Sequence, residues 1–241
     1  AYNAYYGSSV TIDSEGDLWL AASSCSPSGT PSCAAGLIFY LEVWECTTPS
    51  NCSWSSVGWP MTSDVAGGFW PDIVSIGNGQ VAVIYATPNR NSATGKLAVR
   101  AYLGNNAWTG LSQAGEACTS IGCGMYPNYG MGAATIGSTV EIATAALGSP
   151  SGNHPDYLTY TTSNGLSAVS SPDGTSNNDC TNGCSISSDG SSNLVFWMAS
   201  STAITYMTSS NSGSTWGSKT TLESATITSS RIAAGFGNGH A

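Results

Sequence analysis

Five aspartates, Asp64, Asp72, Asp156, Asp173 and Asp179, stand in polar loop-like stretches of a chain that carries few other charges. Two carboxyls held roughly 5 to 9.5 Å apart across a cleft can divide acid and base work on a glycosidic bond. Sequence spacing brings no two of these together, and Asp173 in Pro172-Asp173-Gly174 reads as a plain turn residue. His154 beside Pro155-Asp156 has the form of an acid/base couple. No serine or cysteine nucleophile motif accompanies it, and a lone loop histidine is expected at the surface.

Two further stretches read alike: Gly68-Phe69-Trp70-Pro71-Asp72 and Gly124-Met125-Tyr126-Pro127-Asn128. Trp70 and Tyr126, with Tyr129 and Trp59 nearby, offer flat apolar faces to sugar rings, while Asp72 and Asn128 can hydrogen-bond hydroxyls. Arg90 adds a guanidinium in a loop of the same group. Aromatic-Pro pairs also suit a role as wedges between neighbouring sheets, and both readings stand.

Composition limits the partners. The net charge of −9 comes from having only five basic residues, so the surface repels phosphate backbones and nucleic acid is not an expected partner. No apolar run approaches the roughly 20 residues needed to span a bilayer. With no initiator Met and no basic-then-apolar leader, the sequence reads as a mature or excised product. Hydrophobic residues at 41% with 29 glycines indicate a packed, turn-rich domain in place of a disordered acidic tail.

The eight cysteines form four close pairs, Cys25 and Cys33, Cys46 and Cys52, Cys118 and Cys123, Cys180 and Cys184. An even count in Ser/Pro/Gly surroundings favours local disulfides made in an oxidising compartment, and the spacings with only two histidines form no zinc pattern. Asn51-Cys52-Ser53 has the form of a glycosylation sequon. Asp13-Ser14-Glu15-Gly16-Asp17 carries oxygen ligands suited to calcium but lacks the length and closing Glu of an EF-hand loop. It reads as a strand turn, and no cofactor is expected.

The elements that must position these residues recur. Short apolar hairpins turn at Gly/Ser/Asn: Val10 to Ala22, Ile73 to Ala86, Ala133 to Ala146, and Ile186 to Ala199. Their strands, nearly uninterrupted by charge, predict burial on both faces. A second hairpin follows each, its turn leading to a Trp at Trp54, Trp108 and Trp216 that is lost at Ala168, with Trp216 expected to start the strand that returns. A helical reading fails, because no segment keeps a 3.6-residue apolar period.

Ser209-Ser210-Asn211-Ser212-Gly213-Ser214-Thr215-Trp216 is the clearest of these second turns. It resembles the Asp-box of sialidase-like β-propellers, Ser-x-Asp-x-Gly-x-Thr-Trp, with Asn211 where Asp is usual and Ser209, Gly213, Thr215 and Trp216 in place. The resemblance implies an all-β propeller of four-stranded antiparallel blades, approximately 8–62, 63–118, 119–180 and 181–228, with a fifth begun over 229–241. Four blades and part of a fifth do not close the six-bladed ring usual in that family. Further parts of its own chain or a neighbouring subunit are therefore expected to cover the open edges.

Blade topology places Cys25/Cys33, Cys118/Cys123 and Cys180/Cys184 on one face, and Cys46/Cys52 with the Ser209–Trp216 turn on the other. Sialidases use three converging arginines, a Tyr/Glu pair and an Asp. The three arginines here, Arg90, Arg100 and Arg231, match no family motif, so no catalytic residue carries over. The expectation is a secreted or cell-surface non-catalytic module that binds a glycan or an extracellular protein, or builds an extracellular assembly. The alternative is a glycoside hydrolase or lyase with catalytic residues partly outside this segment.

Overall fold

The computed structural model describes residues 4–24, 40–58, 69–88, 95–114, 131–145, 154–174, 179–227 and 232–235. The first sheet comprises β1 (Ala4–Ile12), β2 (Leu18–Ser24), β3 (Tyr40–Cys46) and β4 (Ser55–Gly58). The second holds β5 (Phe69–Gly77), β6 (Gln80–Pro88), β7 (Gly95–Tyr102) and β8 (Ser112–Ala114). The third holds β9 (Gly132–Ile136), β10 (Thr139–Ala145), β11 (Pro155–Thr161) and β12 (Gly165–Leu166). The fourth holds β13 (Cys184–Ser188), β14 (Leu194–Ala199), β15 (Ala203–Ser209) and β16 (Thr220–Ser224). In all four the spatial order is the chain order and every pairing is antiparallel.

Local chemistry sets these hairpins. Between β5 and β6, Asn78 and Gly79 take φ of 55° and 64°, and Gly77 pairs with Gln80. Positive φ at both central residues is what a two-residue turn between twisted strands requires, and Asn-Gly supplies it cheaply. Period two then sorts the side chains. On β6, Val81, Val83 and Tyr85 join a core with Trp19, Leu41 and Val43 of the first sheet. The alternate residues Ala82, Ile84 and Ala86 join a core with Val140, Ile142 and Leu158 of the third. A third core sets Ala143 and Tyr157 against Ile186, Leu194 and Phe196. Fully burying one such aliphatic side chain contributes about 1.5 to 3 kcal/mol, so the seams between sheets are a main source of stability.

The innermost strands β1, β5, β9 and β13 line one shared cavity. The sheets are therefore blades around a common axis, and the all-β propeller of four blades stands.

Two expectations are corrected. The first strand of the first blade is not buried on both faces, since Val10 and Ile12 are 61% and 62% exposed on the flank facing away from the second blade. Trp216 does not start the return strand either, since β16 begins at Thr220. Trp54, Trp108 and Trp216 all precede β4, β8 and β16. Trp108 forms an isolated bridge with Tyr102, their rings tilted at 5.3 Å, and Tyr102 meets Trp19 at 5.5 Å, which links the rings across the seam.

Candidate functional site

The shared cavity measures about 420 Å³ and is lined by Ser9, Thr11, Asp72, Ala133 and Ser185, with Ile232–Ala234 from the last described segment. Asp72 organises it. Oδ1 accepts the Ser9 hydroxyl at 2.7 Å and the Ile73 amide at 2.9 Å, and Oδ2 accepts the Ala133 amide at 2.8 Å. One carboxylate thus joins the innermost strands of three blades. At the seam between the third and fourth blades β9 and β13 approach closely, because a Cβ on Gly132 would lie 2.8 Å from Ser185 Cα.

Of the aromatic platform, Trp70 lies in β5 by its backbone and Pro71 is buried beside the cavity. Tyr126, Asn128, Tyr129, Arg90 and Trp59 lie outside the described residues, as do Asp64 and Arg231. Cys46 and Cys52 form a disulfide with Cα atoms 5.6 Å apart, and Cys180 and Cys184 another at 5.4 Å. Cys25, Cys33, Cys118 and Cys123 lie outside the described residues. Asn51 is exposed, closing the short 3-10 turn Pro49–Asn51 within the Cys46–Cys52 loop.

The other candidate aspartates among the described residues are engaged. Asp156 is fully buried, with Oδ1 3.1 Å from His154 Nε2 and accepting the Ser171 hydroxyl at 2.8 Å. His154, expected at the surface, is only 3% exposed. It packs at the start of β11, where Asp156 offsets the cost of hiding its polar ring. Because Ser171 points at the carboxylate and not at the imidazole, the three do not form a nucleophile relay. Asp173 and Asp179 both bind Lys219 Nζ, at 2.5 and 2.8 Å. The Asp13 turn is a strand turn: Oδ1 accepts the amides of Glu15 and Asp17, and Oδ2 the Trp19 indole N–H, each at 2.9 Å. Asp189 repeats the device in the fourth blade. Amides of Ser191 and Asn193 and the Asn193 side chain hold its carboxyl well below the usual range.

The Ser209–Trp216 turn is closed by its own side chains. Ser209 Oγ accepts the Gly213 amide at 2.9 Å, and Asn211 Oδ1 accepts the Thr215 amide at 2.9 Å while Nδ2 donates to Thr215 Oγ1 at 2.8 Å. Trp216 packs edge-on against Tyr157 and Phe196.

Sequence reasoning missed a buried pair on the same seam. Tyr157 donates a short hydrogen bond to Glu141, and Glu141 is 1% exposed. Burial pushes the Glu141 carboxyl up to about 7, against the opposing pull of the Tyr157 bond. The signal was present: one lone charge inside the apolar run Val140–Ala145 demands a partner.

Several solved structures share this arrangement of blades. The α-L-arabinanase of Penicillium chrysogenum, complexed with arabinobiose, superposes with a TM-score of 0.62 at 11% identity over 92% of this chain and 69% of that one. The GH93 α-L-arabinofuranosidase of Fusarium graminearum, also with arabinobiose, gives 0.57 at 12% over 87% and 64%. The NanB sialidase of Streptococcus pneumoniae gives 0.62 at 10% over 94% and 53%. The fold is a sialidase-like β-propeller. No protein-family model matches the sequence, and no curated protein is similar to it in sequence. This propeller chain spans about half to two thirds of the length of the structures it resembles.

Proposed function

We propose that this chain is a glycan-binding propeller module that works outside the cell, with the sugar seated at the axial cavity and held by binding alone. The engagement of Asp72 carries this reading. A carboxylate whose two oxygens are held by Ser9, Ile73 and Ala133 is a fixed acceptor, poorly suited to shuttle a proton. Asp156, Asp173 and Asp179 are likewise committed to His154, Ser171 and Lys219. The cavity's hydroxyls Ser9, Thr11 and Ser185 suit sugar hydroxyls, and Trp70, Tyr126 and Tyr129, with Asn128 and Arg90, are residue types that stack on sugar rings and hydrogen-bond their hydroxyls. The Ser209–Trp216 turn is read as the Asp-box of the fold. The two disulfides and the exposed sequon at Asn51 fit an oxidising, secretory setting.

A second reading is favoured by the structural neighbours, two of which are arabinan-active enzymes bound to arabinobiose. In it the chain is part of a glycoside hydrolase whose catalytic groups lie partly beyond these residues. A glycan array that includes arabino-oligosaccharides, run with Trp70→Ala and Tyr126→Ala, tests binding. Retention of the bound glycan by both variants removes the platform. Cleavage of a chromogenic arabinoside by the intact protein, abolished by Asp72→Asn, replaces the binding reading with the hydrolytic one.

A further inference from the structure

Glu141 sits on β10 between Ala134 of β9 and Thr159 of β11. The hydroxyl of Tyr157 that donates to Glu141 Oε2 also lies 3.3 Å from the carbonyl oxygen of Ser212, in the turn of the fourth blade. A phenol carries one proton and cannot satisfy a carboxylate and a carbonyl together. With Glu141 ionised, that proton goes to the carboxylate, and the Ser212 carbonyl faces only lone pairs. With Glu141 protonated, the acid O–H donates to the Tyr157 oxygen and the phenol proton turns to Ser212. Two hydrogen bonds then replace one.

We propose that Glu141 and Tyr157 form a proton-operated latch, which fastens the Ser209–Trp216 turn to the third blade when Glu141 holds a proton and slackens it when the proton leaves. The surroundings let the latch act alone. The seam packs Ile186, Leu194, Phe196, Met207 and Trp216 about Tyr157, and its cysteines are the bridged Cys180 and Cys184. The buried His154–Asp156 pair lies at the start of the same strand β11, but burial and the Tyr157 bond are what act on the Glu141 carboxyl, and among the described residues Tyr157 is the one other titrating side chain in the hydrophobic cluster about it. It stays protonated, because burial and then Glu141 push its own titration far up. Glu141 therefore changes charge near neutrality while Tyr157 does not. The turn must follow Tyr157. Gly213 lies so close to the phenol that a Cβ would collide with it, and the Trp216 ring meets the Tyr157 ring at 5.3 Å.

Hydrogen exchange of the turn amides from about pH 5 to about pH 9, corrected for intrinsic exchange, reads the latch. Wild type is expected to lose protection about fivefold across this range, the value of one net hydrogen bond. Glu141→Gln, which cannot ionise, is expected to stay flat, and Tyr157→Phe to stay flat at the slackened level. Equal pH dependence in wild type and Glu141→Gln, or none in wild type, overturns the proposal. Should a variant fail to fold, the carboxyl resonance of Glu141 in labelled wild type decides. Titration near neutrality in step with the Gly213 amide supports the latch, and ionisation complete by about pH 5 overturns it.

Discussion

Ala133 on the third blade gives its backbone N–H to Asp72 on the second at 2.8 Å, and the same carboxylate receives the Ser9 hydroxyl of the first. That one aspartate is the knot that holds three innermost strands in register around the axis.

Asp72→Asn should therefore destabilise the fold as well as weaken any ligand. The amide keeps one oxygen but turns an N–H₂ toward a donor, either Ala133 or the Ser9 and Ile73 pair. Leaving one buried donor unsatisfied costs about 1 to 3 kcal/mol. Urea unfolding of wild type and variant measures it, and an unchanged midpoint would show that the knot carries no weight.

Gly132→Ala should be worse than its size suggests. The new methyl would press on the Ser185 backbone at 2.8 Å, so β9 and β13 must separate. Overpacking of this kind costs about 1 to 3 kcal/mol. Gly110, where an added methyl would meet nothing within 4 Å, provides the control, and Gly110→Ala should leave the melting temperature nearly unchanged.

Stability should fall as pH rises from the acid side toward neutrality. The Glu141 carboxyl titrates at about 7 in the fold and near 4.5 when unfolded, so the folded state binds the extra proton between those values. Folding free energy is then undiminished below about pH 4.5 and declines until about pH 7, by at most about 3 kcal/mol. Denaturant titrations across that window should show the slope in wild type and its loss in Glu141→Gln.

Gly213→Ala should unfasten the turn from the third blade. Gly213 has φ of 74°, and an added Cβ runs into the Tyr157 hydroxyl. The backbone strain alone costs about 1 to 2 kcal/mol, with the collision added to it. Trp216 fluorescence should shift red as its ring loses Tyr157 and Phe196, and an unchanged spectrum would count against the coupling.

The hairpins were legible because their cues are local. Asn78-Gly79 announces its own turn, and Val81 to Ala86 carries no charge to contradict a strand covered on both sides. What Asp72 touches was not legible, since its partners Ser9 and Ala133 lie 63 and 61 residues away. Only the ring geometry brings those strands to one axis. His154 was misplaced for a related reason: a polar residue in a Gly/Ser/Pro stretch gives no sign that Asp156 waits two positions on to receive it inside the seam. Glu141 could have been found by asking where the charge in a buried strand goes.

Val10 and Ile12 lie wet on the flank of the first blade, and Leu222 on that of the fourth is 60% exposed. A molecule with net charge −9 and greasy sides is held apart from its copies by repulsion that dissolved salt weakens. Its colloidal behaviour should therefore turn on ionic strength, with dispersed particles in dilute buffer and side-to-side clustering in brine.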